Sequence, residues 1–311
     1  MPVKKINGAI SIDTDSLDLI YYAFKNKRLS ENDVTYKKIL PKYLEFFKQR
    51  GIKATFFIIG SHIKTSYHKS MLRKIADEGH ELANHTFNHY LNFSKLSKDE
   101  KEEEILKCEN IIEETVGIKP VGFRAPGWDI DPETMKILEK HKYIYDSSVY
   151  PTYFNMISLA YLFVMNKGIT HTKSIGSIKN TFAPLKPYHP NLNKIHVKGK
   201  SRIIEFPINV SPFLRIPFFG TLLFASKSKT LFNYSLNMIH LSKMPLNYEL
   251  HSVELYDKDN DDINNEIKKI RHPCIYTPFT KKKELYNYIF QKFNKYYKMS
   301  TLRNLVDSSR K

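Results

Sequence analysis

The stretch Glu81-Leu82-Ala83-Asn84-His85-Thr86-Phe87-Asn88-His89 reads as a short strand that runs straight into two histidines four residues apart. On a tight turn that spacing lets both imidazoles reach one ion. Far upstream, Ile6 to Asp13 reads as a buried strand, and Ser11-Ile12-Asp13-Thr14-Asp15 closes it with two carboxylates. One Asp and two His form a divalent-metal ligand set that leaves coordination positions open for water and substrate. The other Asp is then free to act as a base beside that water. The residues alone leave open which of Asp13 and Asp15 plays which part. Together the two segments predict metal-assisted hydrolysis.

Working outward, strand and helix alternate through the first 150 residues. Tyr36 to Arg50 has helical spacing, with Ile39, Leu40, Tyr43, Phe46 and Phe47 on one face and Gly51 as its stop. Ala54 to Ile59 reads as a second buried strand, and a helix from about Tyr67 to Glu78 ends at Gly79. Ser97 caps a charged helix to Thr115, with Glu100 three residues on. Strands near Val121–Phe123 and Tyr143–Tyr145 flank a helix from Pro132 to Lys140. Later, Ile203–Pro207 and Asn247–Glu254 read as strands, and Lys281 to about Tyr296 as a helix. Repeated βα units imply an α/β fold with a parallel sheet, open or closed into a barrel. The candidate residues fall at the C-terminal strand ends, where such folds build their active sites.

Three further strand ends carry chemistry. In Gly122-Phe123-Arg124-Ala125-Pro126-Gly127-Trp128, Arg124 is placed to hold a neighbouring carboxylate through paired hydrogen bonds. Trp128, the only tryptophan, either packs or lines a sugar or acyl pocket. Asp146, in Tyr145-Asp146-Ser147-Ser148, is either a cap or a partner that orients a catalytic residue. His251, in Leu250-His251-Ser252-Val253-Glu254, fits a general acid. Pro126 and Glu254 share these segments and are expected beside the site. His62, His80, His171 and His189 have no such context.

A formal charge of +17 favours an anionic partner: nucleic acid, a phosphorylated substrate or an anionic leaflet. The basic residues interleave with aliphatic runs and form no recognisable nucleic-acid module, so no nucleic-acid partner is expected. Cys108 and Cys274 have no metal spacing and read as free thiols. No apolar leader precedes the first strand, and no run reaches the ~18 apolar residues of a spanning helix. The expected location is cytoplasmic. Residues 151–245 break the βα rhythm. Tyr153–Met165 and Pro212–Lys229 are rich in Phe and Leu beside basic residues, the profile of segments in a membrane interface, with Phe213, Phe218 and Phe219 expected to insert and Lys198, Lys200, Arg202, Arg215, Lys227, Lys229 and Lys243 to face headgroups. The plainer reading is an insertion that covers the core.

The five segments Asp13-Thr14-Asp15, His85 to His89, Arg124 to Gly127, Tyr145 to Ser148 and Leu250-His251 resemble, in order and spacing, the motifs of the NodB-type polysaccharide deacetylases (carbohydrate esterase family 4). The resemblance spans roughly residues 6–150 and 200–305. It implies one domain over 1–311, built as a distorted (β/α) barrel of about seven parallel strands with an apolar, basic insertion. It implies Asp13 as general base, Asp15, His85 and His89 as ligands of a divalent metal, usually Zn²⁺, Arg124 as the residue orienting the base, and His251 as general acid. Many members have adjacent Asp-Asp where this chain has Asp-Thr-Asp, so the two roles could be exchanged. The insertion is similar to the branch that removes an acyl group from an amino sugar on undecaprenyl phosphate, as in lipid A and lipopolysaccharide modification. That implies a lipid-linked substrate, an anionic membrane surface as partner and the inner face of the cytoplasmic membrane as location. A soluble amidohydrolase of the same fold and a non-catalytic membrane-binding protein are the competing readings.

Overall fold

Asp13 and His251 are neighbours across two parallel strands although 238 positions separate them in the chain, and the sheet explains how. The computed structural model describes residues 5–25, 27, 33–154, 177–261, 267 and 272–309. Among them run the strands β1 (Ile6–Asp13), β2 (Thr55–Ile58), β3 (Glu81–Asn84), β4 (Gly122–Phe123), β5 (Tyr145–Asp146), β6 (Pro190–Asn191), β7 (Lys194–Lys198), β8 (Ile204–Glu205), β9 (Leu246–His251) and β10 (Tyr297–Ser300). Eight form one parallel sheet, which curls as a half-barrel in the order β8-β5-β4-β3-β2-β1-β9. The eighth, β10, pairs with Ile6–Ala9 of β1, while β2 pairs with Ser11–Asp13. Because β9 occupies Gly8–Asp13 on the other side, β10 and β2 share one edge of β1.

No backbone ladder joins β8 to β9 among the described residues. The seam is bridged by one backbone bond, from the Asn209 amide to the Asn247 carbonyl at 3.4 Å, and by side chains. Asn209 Oδ1 accepts from the Asn247 amide at 2.6 Å, and Asn247 Nδ2 donates to the carbonyls of Phe206 and Pro207 at 2.9 and 3.2 Å.

The outer faces of the strands meet helices and form the main core. Ile10, Ile12, Phe56 and Ile58 pack there with Tyr43, Phe47, Leu72 and Phe290. Helix Lys98–Val116 starts with the expected capping box: Glu100 accepts from the Ser97 amide at 2.8 Å while Ser97 Oγ accepts from the Glu100 amide. It stops at Gly117, which takes the left-handed φ that an L residue resists. The predicted helix from Tyr36 opens instead as a π-turn, Thr35–Ile39, and becomes α-helical at Leu40–Lys48. The expected strand to Glu254 stops at His251, where a 3₁₀ turn, Ser252–Leu255, begins.

The insertion is only partly an external feature. Beyond Phe154, the segment Tyr153–Met165 lies outside the described residues. Phe218, expected to enter a membrane, is buried against Phe232, Tyr248 and Phe293. Arg215, expected to face headgroups, turns inward and donates to the carbonyls of Pro151, Thr181 and Ala183. Its planar fork suits several carbonyls at once, so it ties three chain segments together. Cys108 and Cys274 are buried free thiols, as expected.

Candidate active site

Along a strand, alternate residues share a face. Ser11 and Asp13 of β1 therefore point into the barrel together, and so do Asn247, Glu249 and His251 of β9. The register sets Ser11 opposite Glu249 and Asp13 opposite His251. Arg124, at the end of β4, reaches into this square from across the barrel and is fully buried. Its guanidinium donates to Asp13 Oδ1 at 2.6 Å, Ser11 Oγ at 3.0 Å, and Ser147 Oγ and O at 2.9 Å each. It also covers the Phe57 ring at 4.1 Å. Burial alone would raise the Asp13 carboxyl. Arg124, followed by His85 and His251, outweighs burial and holds it below the usual carboxylate range. Asp13 is therefore ionised and aimed, the state a general base requires.

Thr14 separates the two carboxylates and fixes the second. Its amide and hydroxyl both donate to the Phe57 carbonyl, which carries Asp15 beyond the strand end. There Asp15 Oδ1 lies 3.1 Å from His89 Nε2 and 3.8 Å from His85 Nε2. The coordinating atoms of Asp15, His85 and His89 all fall within 4.8 Å of one another. Asp15 Oδ1 is buried and has no hydrogen-bond partner. His85 Nδ1 bonds the Arg124 carbonyl at 2.7 Å, so Nδ1 carries the proton and the Nε2 lone pair faces the cluster. Burial lowers the His85 imidazole to about 4, which keeps it in the neutral form that binds a cation. This donor set fits a divalent metal.

The loop that presents the histidines is strained. Thr86 and His89 both adopt left-handed φ, 63° and 57°. Such positions cost on the order of 1–3 kcal/mol each and persist where surrounding bonds impose them. Here Asn84 Oδ1 accepts from the Thr86 amide at 2.9 Å, and Glu104 holds the Asn88 amide at 2.7 Å.

On the far side His251 is held by acids. Glu254 Oε1 lies 3.5 Å from its Nδ1 and Glu249 Oε1 lies 3.6 Å from its Nε2. Burial alone would lower the imidazole, but the bond to Glu254 and the charges of Glu249, Asp13 and Asp15 raise it to about 10. It is an imidazolium at neutral pH, ready to donate. Glu254 is fixed in turn by Thr221 at 2.8 Å and Tyr286 at 2.7 Å. Gly220 passes so close that an added Cβ would sit 2.0 Å from Glu254 Oε2.

Pro126 is buried and opens the turn Pro126–Trp128, which swings Trp128 to the mouth of the site. The indole N–H donates to Glu249 at 3.2 Å, and the ring meets Tyr150, Phe219 and His251. Trp128 thus lines the site. Asp146 caps its own strand end, where the Ser148 amide also donates to it at 3.2 Å. Its carboxylate takes the Ser148 hydroxyl at 2.6 Å, and Ser148 Oγ accepts the Ala125 amide. It props the strand end carrying Arg124 and makes no described contact with His251. The residue that does meet His251 is Glu249, which sequence reasoning missed. Burial, the Asp13 charge and despite Arg124, its carboxyl is raised to about 8. The available signal was its position two residues before His251, on the same strand face.

The polysaccharide deacetylase family model matches residues 30–145 of this chain. A peptidoglycan-N-acetylglucosamine deacetylase of Bacillus cereus is 35% identical over 96 residues, 31% of this chain and 34% of that protein. A peptidoglycan deacetylase of Helicobacter pylori is 33% identical over 110 residues, 35% of this chain and 36% of that protein. The chain thus matches about a third of the length of these curated relatives. In fold, it is similar to a candidate polysaccharide deacetylase from Mycobacterium smegmatis, with TM-score 0.63, 16% identity, and coverage of 100% of this chain and 92% of that one. The family model thus matches 116 of the 311 residues, and the likeness to the Mycobacterium smegmatis structure is one of fold.

Proposed function

We propose that this chain hydrolyses the N-acyl group of an amino sugar, with the sugar carried on undecaprenyl phosphate. The observation that carries the hydrolytic reading is the Asp15–His85–His89 cluster, flanked by Arg124-bound Asp13 on one side and acid-bound His251 on the other. A divalent cation held by that cluster, Zn²⁺ by preference for an Asp and two His, supplies Lewis-acid activation of water and acyl carbonyl. Asp13 takes the proton of the attacking water. Arg124 keeps Asp13 charged and aimed. The water oxygen bonds to the acyl carbon, the C–N bond breaks, and His251 hands its proton to the leaving amine. The products are a free amino sugar and acetate or formate. Trp128, Tyr150 and Phe219 form an aromatic wall on which a sugar face can lie.

The lipid-linked part of the reading is supported by the tip Phe213-Leu214. These side chains are 80% and 57% exposed, and Phe213 is held at a φ of 66°. Strain spent on displaying two large apolar groups is the pattern of an insertion point. Exposed Lys198, Lys200, Arg202, Lys227, Lys229 and Lys243 lie in the same stretch of chain and suit anionic headgroups. No helix among the described residues is long and apolar enough to cross a membrane, so the contact proposed is peripheral. The names of the curated relatives favour a second reading, N-acetylglucosamine within a glycan polymer.

The test offers the metal-loaded protein both substrates, polyprenyl-phosphate-linked N-acetyl and N-formyl sugars and N-acetylglucosamine oligomers, with His85→Ala as control. Mass loss of the acyl group from the lipid-linked sugars supports the first reading, and loss from the oligomers alone the second. No loss from any substrate would refute both.

A further inference from the structure

A second cleft, of about 480 Å³, opens where the chain leaves Trp128. Asp129 and Ile130, which line it, directly follow Trp128, and Ser94 joins the same wall by donating amide and hydroxyl to Asp129 at 3.0 and 2.8 Å. The opposite side is made by the 3₁₀ turn Ile178–Phe182 and by β7. Asn191 Oδ1 accepts from the amides of Asn193 and Lys194 and so closes the β6–β7 turn. With β7 in that register, Lys194 and His196 share one face. Lys179 comes from the turn.

Two observations indicate a ligand. The first is Asn180. It lines the cleft and is only 2% exposed, yet neither Oδ1 nor Nδ2 has a hydrogen-bond partner. A buried amide with both ends unmatched has given up its hydration for nothing unless something fills them. The second is charge. Lys179, Lys194 and His196 converge here, and among the described residues none is paired with a carboxylate. The acids in the cleft are occupied: Asp129 by Ser94, and Asp131 by Thr134 and Lys101. Burial and then the two lysines hold the His196 imidazole below its usual range, so the three groups are near enough to repel. Cations gathered against their own repulsion around an unmatched amide are complementary to an oxyanion.

We propose that this cleft is an oxyanion subsite that takes a phosphate or carboxylate borne by the saccharide substrate, next to the sugar being deacylated. The clause about the substrate rests on the functional reading above; the binding of an oxyanion does not. Lys179 and Lys194 supply charge, and Asn180, its side chain turned toward the ligand, donates through Nδ2 the oriented hydrogen bond that gives the site its geometry.

Two measurements on the metal-loaded full chain test this. In the first, inorganic phosphate is titrated by calorimetry, with Trp128 fluorescence as a second signal because it is the only tryptophan and adjoins the cleft. The Lys179→Gln/Lys194→Gln double variant changes only exposed side chains and should fold normally. It should weaken phosphate binding by at least ~10-fold, as should Asn180→Asp, which places a carboxylate where the amide was. Equal binding by wild type and both variants overturns the proposal. So does binding that vanishes in His85→Ala but survives in the cleft variants, because phosphate would then sit at the metal. In the second measurement, KM is compared for neutral N-acetylglucosamine oligomers, a phosphorylated N-acetyl sugar and a carboxylate-bearing N-acetylated glycan. The double variant should raise KM for one anionic substrate by ~10-fold with kcat unchanged, and the substrate affected identifies the oxyanion. Equal change for neutral and anionic substrates overturns the subsite. A chain that deacylates nothing refutes the functional reading alone, and the phosphate titration still decides this one.

Discussion

The two flanks of the site are built as opposites. On the base flank an acid, Asp13, is gripped by a buried cation, Arg124, at 2.6 Å. On the acid flank a base, His251, is gripped by buried acids, Glu249 and Glu254. Each catalytic group is pushed into the charged form that its task needs. The flanks also differ in origin. The first comes from short βα units within residues 6–150, with Arg124 bonded to backbone and side chain on β1 and β5. The second is assembled from β9 and the helices Gly220–Ser226 and Phe279–Tyr296 on either side of it in the chain, through Thr221 and Tyr286. The first flank is thus written in local motifs, and the second in long-range packing.

Substitutions can break this symmetry, and the largest effects belong to the groups that move protons. Asp13→Asn and His251→Ala should each cost on the order of 10²–10⁴-fold in kcat while metal content stays as in wild type. Steady-state rates with metal analysis check this; loss of metal in Asp13→Asn, with metal retained in Asp15→Asn, would exchange the roles of the two acids.

Next come the grips. Arg124→Gln leaves Asp13 buried with a weaker partner, and breaking a buried pair typically costs about 3–5 kcal/mol of stability, read by denaturant titration. It should also move the acid limb of the pH–rate profile upward. Without Arg124, burial dominates and raises the Asp13 carboxyl.

Glu254→Gln should move the opposite limb. The folded His251 imidazolium titrates above its unfolded value of ~6.5. Its contribution to stability is therefore complete below ~6.5 and lost as pH rises through the folded value of about 10. Activity follows the same proton and falls on that alkaline side. Removing the charge of Glu254 should bring the alkaline limb down toward the ordinary histidine range, with the acid limb unmoved. An unchanged alkaline limb would take Glu254 out of the acid flank.

The smallest effect sharpens the comparison most. Gly220→Ala forces a Cβ against Glu254 Oε2 and should destabilise by about 1–3 kcal/mol, as overpacking does. Among survivors at low temperature the alkaline limb should shift, while the Asp13 limb stays in place.

The base flank was legible in the sequence because each residue ends a strand that periodicity reveals. Ile6–Asp13 and Pro132–Lys140 match the expected bounds, and Ser97 with Glu100 caps its helix as read. The acid flank was half legible. His251 stood out by type, but Glu249 did not, because an acid inside a strand looks like an exposed one until the facing strands are known. Asp146 left two readings open for the same reason: its neighbour Glu205 is brought to it only by the pairing of β5 with β8. Phe218 and Phe213 are alike in sequence, yet one is core and the other tip. Aromatic content could not separate them, because their exposure is decided by Arg215 and the strained turn around it.

The seam between β8 and β9 has a consequence in time rather than in space. A wall closed by two asparagine side chains and a single backbone bond has few bonds to break along one line. In hydrogen exchange, the amides of Asn209 and Asn247 would report an opening cheaper than global unfolding. Because His251 ends β9 and Asp13 ends its neighbour, that breathing motion moves the acid flank as a leaf hinged on β1, away from the wall of β8.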